Sequence, residues 1–253
     1  MRLHRFTNML RNVENWSAYL LYKFGGKKAD SFTFRLRNGF SITVPRRILP
    51  EFKESVFEQA YFRHLPAQFL DKPDPTVIDI GANVGFFATL AFLKLKNPNV
   101  FSFEPIQRNF AELQRNTTAL GPRLTLVNKA VSNNEGEIVL KFDSNQAVTT
   151  SASIFDNSLG SDEERVASTT LTAIFRDYGL SHTDILKLDC EGAEYGILYD
   201  TPPALFEKIG CITMETHAGV QANENNNALA DYLKKLGYTV VTRSGSFIWA
   251  FRP

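Results

Sequence analysis

The chain has 253 residues, with 28 Lys and Arg against 27 Asp and Glu, and 43% of it is hydrophobic. This balance and a mean hydropathy of -0.19 exclude a disordered, collagen-like or low-complexity chain, leaving one large α/β domain with an elaboration, or two small domains. A net charge of +1 gives no global reason to expect nucleic acid, because such binding rests on many phosphate-neutralising side chains.

No apolar run approaches the ~18 to 20 residues that span a bilayer, and the N-terminus lacks the unbroken apolar stretch of a secretory signal. Cys190 and Cys211 are expected at opposite ends of neighbouring strands, too far apart for a disulfide. A reducing, cytoplasmic setting is the expectation.

Residues 1–28 hold Arg2, Arg5, Arg11, Lys23, Lys27 and Lys28 against Glu14 alone. Leu3, Phe6, Leu10, Val13, Leu20 and Phe24 recur at helical spacing, which predicts one amphipathic helix ending at Gly25-Gly26. Such a helix docks on its own domain, on a second copy of the chain as a homodimer, or on a membrane surface as a peripheral contact. Alternating residues on either side of Asn38-Gly39 predict a β-hairpin with a type I′ turn. A helical stretch over about Glu51 to Phe69 follows, and Lys72-Pro73-Asp74-Pro75 marks the expected boundary. Residues 1–75 then form an accessory helix and hairpin region, and 76–253 the main domain.

From Thr76 the text alternates strands and helices. Strands are expected at Val77–Ile80, Val100–Phe103, Leu124–Val127, Ile138–Phe142, Ile185–Leu188, Ile212–Met214, Thr239–Thr242 and Phe247–Phe251. That rhythm argues for a doubly wound, mostly parallel sheet. The last two strands are joined by four residues only, which demands an antiparallel C-terminal hairpin. A parallel sheet closed in this way is the Rossmann-like arrangement of a class I methyltransferase. Asp143–Arg165 and His217–Asn227 are expected as long loops.

Three motifs carry chemistry. Asp79-Ile80-Gly81-Ala82-Asn83-Val84-Gly85 runs from a buried strand through a glycine turn into an apolar helix. A dinucleotide fingerprint would need glycine where Asn83 and Phe86 stand, so a pyrophosphate is not provided for. The Asp79 carboxylate suits a cation instead. Glu104-Pro105 ends the next strand 19 positions after Gly85, where a carboxylate can accept from two ribose hydroxyls. Leu186-Lys187-Leu188-Asp189-Cys190-Glu191-Gly192-Ala193-Glu194 crowds charge at the end of an apolar strand, which calls for a ligand, a metal or an internal ion pair.

With Ala130-Val131-Ser132, Gly136-Glu137, Ser151-Ala152-Ser153 and Glu215, these motifs resemble, in order, the FkbM family of S-adenosylmethionine-dependent methyltransferases, over about residues 58–216. The resemblance implies a class I fold, S-adenosylmethionine as methyl donor, and transfer to a hydroxyl of a sugar, glycan or secondary metabolite. Carried over by position, Asp79, Gly81, Asn83 and Gly85 would line the methionine and ribose side and Glu104 would hold the ribose. Ala130, Val131 and Ser132 would sit by the adenine, and Asp189 would face the methyl group. An alcohol must lose its proton as the bond forms, and Glu191, Glu215 and His217 are candidate bases. Asp189, Glu215 and His217 could alternatively hold a divalent cation. A nucleotide-dependent (NAD) oxidoreductase and a non-catalytic cofactor-binding scaffold are the competing readings.

Overall fold

The computed structural model describes residues 2–25, 29–142, 152–153, 162–243 and 246–252. The chain opens with α1 (Arg2–Asn12) and α2 (Trp16–Phe24), then β1 (Ser31–Arg35) and β2 (Ser41–Pro45). The single N-terminal helix expected from the apolar spacing is therefore two. Between them Val13 bridges Leu36, and the Glu14 N–H donates to the Arg35 carbonyl. The Asn15 side chain donates to the Thr33 carbonyl and accepts the Arg35 N–H. The helix breaks where the hairpin edge competes for its backbone.

The hairpin turn also differs from expectation. Gly39 enters the left-handed region at φ 88° while Asn38 does not. Its N–H bonds the Leu36 carbonyl, and the Leu36 N–H bonds the Phe40 carbonyl. This is the wider turn closed by a left-handed glycine, since a type I′ turn needs positive φ at both central residues.

Next, α3 (Leu49–Phe52) runs into a π-helical turn over Lys53–Glu58, which Gln59 ends in a left-handed conformation at φ 52°. A 3₁₀ turn (Ala60–Phe62) and α4 (Ala67–Leu70) follow. The helix expected over Glu51–Phe69 is thus broken at Gln59 and before Pro66.

The main series comprises β3 (Thr76–Ile80), α5 (Phe86–Lys94), β4 (Asn99–Phe103), α6 (Gln107–Thr117) and β5 (Leu124–Val127). An insertion of β6 (Ala130–Val131), β7 (Gly136–Phe142), β8 (Ala152–Ser153) and β9 (Asp162–Thr169) leads to α7 (Leu171–Asp177). The chain finishes with β10 (Thr183–Leu188), α8 (Glu194–Tyr199), α9 (Pro203–Phe206), β11 (Ile209–Glu215), α10 (Asn226–Lys235), β12 (Thr239–Arg243) and β13 (Phe247–Phe251).

A seven-stranded sheet runs in the order β12-β13-β11-β10-β3-β4-β5. The pairs from β11 to β5 are parallel, and β13 is antiparallel to both β11 and β12. This is the expected class I methyltransferase sheet with its C-terminal hairpin. Its order reverses between β3 and β10, so a crevice opens beyond the carboxyl ends of those strands.

The insertion forms a second sheet, ordered β6-β9-β7-β8, and the strand expected at Ile138–Phe142 belongs to it. Within the expected loop Asp143–Arg165, β9 already begins at Asp162. Its residues Asp-Glu-Glu-Arg-Val-Ala-Ser-Thr bury only Val166, Ser168 and Thr169, so the apolar alternation that marks a strand is missing. Residues 143–151 and 154–161, Ser151 of the serine motif among them, lie outside the described residues.

Side-chain alternation divides the core. Ile78, Ile80, Leu186 and Leu188 pack with α7, α8 and α10 on one face. Val77, Val100 and Ile185 pack on the other with Phe87 of α5, Trp249 and residues 60–69. On that second face Thr213, Lys187, Asp79 and Ser102 are register partners across β11, β10, β3 and β4, forming one polar row through an apolar layer. The N-terminal elements cluster separately around Phe34, Phe52 and Phe57, closing on Val84 and Phe86. No helix among the described residues is long and apolar enough to cross a membrane.

Apolar packing therefore continues across residue 75. Trp249 Nε1–H donates to the Ala60 carbonyl at 3.0 Å, and the Thr213 hydroxyl donates to the Tyr61 carbonyl at 2.8 Å. A fragment of residues 76–253 would expose Phe87 and Trp249 and strand both donors. It is expected to be insoluble or to lose cooperative thermal unfolding, as circular dichroism would show, where the full chain melts cooperatively.

Candidate active site

At the switch point lies a cleft of about 380 Å³. Gly81-Ala82-Asn83, Glu104 and Asp189-Cys190-Glu191 line it from the sheet edge, with Glu215 and His217 at its end. Its opposite wall is formed by Ile48, Glu51, Glu54 and Tyr61 from the N-terminal segment.

The floor is built on a buried cation. Lys187, fully enclosed, places Nζ 3.1 Å from Asp79 Oδ1 and donates to the carbonyls of Ile80 at 3.1 Å and Gly81 at 2.7 Å. Tyr61 and Phe87 offer ring faces at 5.5 and 5.8 Å. Burial works against the ammonium, but Asp79 and then Asp189 outweigh it and hold Lys187 above the usual lysine range. Above the floor, Tyr61 donates its phenol proton to Asp189 Oδ2 at 2.7 Å. Gly81, at φ 75°, lies so close to the Asp189 carbonyl that a Cβ would come within 1.8 Å of it. Only glycine lets the two loops touch.

Glu104 organises the glycine turn. Its Oε2 accepts the N–H of Asn83, which sits in the left-handed region at φ 49°, and its Oε1 accepts the Ile106 N–H. The Asn109 side chain reaches Oε1 at 3.5 Å. These donors use three of roughly four acceptor positions, and the Asn109 contact is the one a ligand hydroxyl could displace. Burial pushes the Glu104 carboxyl up to about 7, against the pull of those hydrogen bonds.

At the far end, His217 sits among carboxylates. Its Nδ1 lies 3.0 Å from Oε1 of Glu194, a fully buried residue that also accepts the N–H groups of Cys190 and Gly192. Its Nε2 lies 3.6 Å from Glu191 and 4.0 Å from Asp189. Burial opposes protonation of the imidazole, but the Glu194 hydrogen bond and the surrounding charges carry it up to about 9. Burial followed by the repulsion of Asp189 raises Glu215 to about 7; burial, opposed by His217, raises Glu191 to about 7. Asp189, Glu215 and His217 bring one ligand atom each within 4.8 Å of one another. Glu191 itself is left-handed at φ 54°, a strained conformation that the two Glu194 bonds hold in place.

A family model described as "Methyltransferase FkbM domain" matches residues 79–240. The chain belongs to the FkbM methyltransferase family. AMB antimetabolite synthetase AmbE of Pseudomonas aeruginosa is 24% identical over 213 residues, 70% of this chain and 10% of its own length. The 2-O-methyltransferase NoeI of Sinorhizobium fredii is 35% identical over 109 residues, 41% of this chain and 43% of its own. This chain thus spans less than half the length of either relative. Among solved structures, a SAM-dependent methyltransferase from Agrobacterium tumefaciens aligns with a TM-score of 0.49 at 10% identity, covering 90% of this chain and 72% of that one. Family membership removes the oxidoreductase reading.

Of the residues singled out in the sequence, Gly81, Asn83, Glu104, Ala130, Val131, Asp189, Glu191, Glu215 and His217 meet at this FkbM cleft. Three do not. Asp79 is fully buried beneath the floor, tied to Lys187 and to the Ser102 hydroxyl, so its carboxylate faces an internal ammonium rather than the cleft. Ser132 bonds Ser168 behind the cleft. Gly85 starts α5 at φ 91° and packs against Thr117 and Leu113, where a Cβ would come within 2.7 Å. The sequence reading passed over Glu194, visible in its motif but with no sign of its partner, and Tyr61 and Glu54, which no local pattern marks.

Two outcomes follow from the charges. Lys187→Met leaves the Asp79 charge uncompensated and should lower stability in urea by ~3–5 kcal/mol. Ribose hydroxyls donating to Glu104 would favour its ionised form and lower its pKa. Affinity for S-adenosylhomocysteine should therefore rise as pH increases through about 7, with proton release near neutral pH in calorimetry. Glu104→Gln should flatten that dependence.

Proposed function

We propose that this FkbM protein transfers a methyl group from S-adenosylmethionine to a hydroxyl oxygen of a sugar, glycan or secondary metabolite, with His217 as general base. The observation that carries this reading is the imidazole itself. Nδ1 is held by buried Glu194 while Nε2 looks toward Glu191 and Asp189 at the cleft, the base-and-orienter arrangement of proton-abstracting sites. The name of NoeI, a 2-O-methyltransferase, supports oxygen as the acceptor atom.

The residues present fit such a donor. Glu104 supplies acceptor capacity for ribose hydroxyls, and the carboxylates of Asp189 and Glu191 suit a cationic ligand. When bound, S-adenosylmethionine supplies an electrophilic methyl on a sulfonium, reactive enough that in-line alignment of the acceptor provides much of the acceleration. Glu51, Glu54 and Glu215 present hydrogen-bond acceptors to a polyhydroxyl acceptor across the cleft. Nε2 would take the acceptor hydroxyl's proton as the hydroxyl oxygen accepts the methyl group, whose bond to sulfur breaks to leave a neutral thioether. In the free protein three carboxylates hold that imidazole protonated up to about 9. A cation bound beside Asp189 and Glu191 opposes that attraction and lowers the pKa toward the working range.

A second reading follows from the 4.8 Å grouping of Asp189, Glu215 and His217, which could hold a divalent cation against the acceptor oxygen. Chelation separates the two. Full activity in excess EDTA leaves His217 acting alone, whereas loss restored by Mg²⁺ or Mn²⁺ assigns the trio to a metal.

Acceptors should be found by mass spectrometry as products heavier by one methylene, across hydroxylated sugars, glycolipids and polyketides. Once one is in hand, His217→Ala should lower kcat by ~10²–10⁴-fold without weakening S-adenosylmethionine binding, since the imidazolium that it removes repels a cationic donor. The base must be neutral, so kcat/KM should rise with pH and level off at or somewhat below about 9. A profile whose rise survives His217→Ala hands the role to Glu191 or Glu215.

A further inference from the structure

The methyl-transfer cleft leaves one part of the surface unexplained. On α2, Tyr19 turns inward against Phe32, Phe34 and Phe57 and anchors the helix to the hairpin. The outer side of the same helix is apolar as well. Leu21 and Phe24 are 73% and 75% exposed, and with Trp16 and Leu20 they line a shallow open groove. These positions recur at helical spacing, so they form a continuous stripe rather than scattered apolar side chains.

The rim of this stripe is basic. The Lys23 ammonium lies 5.0 Å from the Phe24 ring, and the Arg46 guanidinium 4.7 Å from that of Tyr22, with exposed Arg47 next in the chain. Lys53 is near enough that Arg5 and Lys23, after burial, depress its ammonium. From residue 1 to 53 the sequence holds eleven Lys and Arg against Glu14, Asp30 and Glu51, and Glu51 faces the cleft.

Charge decides between the occupants such a stripe could take. A second copy meeting it across a two-fold axis would set Lys23, Arg46 and Arg47 against their own images. An anionic bilayer supplies counter-charge to the rim and apolar depth to Leu21 and Phe24, while lysine and arginine stems reach up to the headgroups. We propose that α2 and the basic residues around it dock this enzyme on an anionic lipid surface, with Leu21 and Phe24 inserted at the headgroup boundary. Docking needs no rearrangement, since Tyr19 already fixes the helix with its apolar stripe outward.

The test is flotation of the full-length protein with vesicles of phosphatidylcholine alone and of phosphatidylcholine mixed with phosphatidylglycerol, at low and raised salt. Binding should be stronger to the mixed vesicles by roughly tenfold or more and should weaken as salt screens the rim. Leu21→Glu with Phe24→Glu should reduce it by roughly tenfold or more. Both residues are exposed, so the melting curve and S-adenosylhomocysteine affinity should not change. Lys23→Glu with Arg47→Glu should remove the preference for anionic lipid while leaving the stripe intact. Equal partition into both vesicle types, absence from both, or unchanged binding by the Leu21/Phe24 variant overturns the proposal. So does a dimer in sedimentation velocity that the same variant dissociates, because the stripe then belongs to a second copy.

Discussion

The ammonium of Lys187 is the point on which the cleft rests. It is buried at the place where the strand order reverses, and a charge there is tolerable only because its surroundings are almost wholly acceptors: the Asp79 carboxylate, two carbonyls and two ring faces. Since Lys187 and Asp79 are direct register partners, a slip of β10 against β3 would strand both charges in an apolar layer. The same ammonium grips the carbonyls that lead into the glycine turn and stands 3.9 Å below Asp189. Sheet register, turn position and the orientation of a cleft carboxylate are therefore settled by one interaction.

Above that floor the cleft holds more negative than positive charge. Glu51, Glu54, Asp189, Glu191 and Glu215 surround it, and His217 is the cation among the described side chains that line its upper part. Burial raises Glu191 and Glu215 to about 7, so the state of these two responds to whatever enters. A cationic ligand fits such a site on charge alone, and on the proposed mechanism its binding would free the imidazole that the acids otherwise keep protonated. The Glu194 side chain gives the arrangement its rigidity: fully buried, it fixes both the imidazole and the strained loop through Glu191.

What could be read from the sequence follows from how local each signal is. The turn after β3, the acidic end of β4 and the charged end of β10 are each legible as a short run of consecutive residues, and the structure brings the three runs together at one cleft. The C-terminal hairpin was legible because four residues cannot carry a crossover. Asp79 was misjudged because its partner lies 108 positions away on another strand, although its place between Ile78 and Ile80 already put it on the opposite face from them. Tyr61 was invisible for the same reason, reaching Asp189 across 128 residues after the left-handed break at Gln59. β9 escaped notice because its charges hide the strand period, and the N-terminal helix was read as continuous because hairpin competition for its backbone leaves no trace in apolar spacing.

The cleft draws its two walls from different stretches of chain. Its floor and sheet edge fall within residues 79–240, the span shared with the family, while Ile48, Glu51, Glu54 and Tyr61 precede it. The two sides of the cleft are thus written in separable text. A relative could keep the first intact and diverge in the second by changing residues around a π-helical turn. Grafting that turn between homologues, rather than redesigning the sheet, is then the natural route to reshaping one side of the cleft while leaving the other untouched.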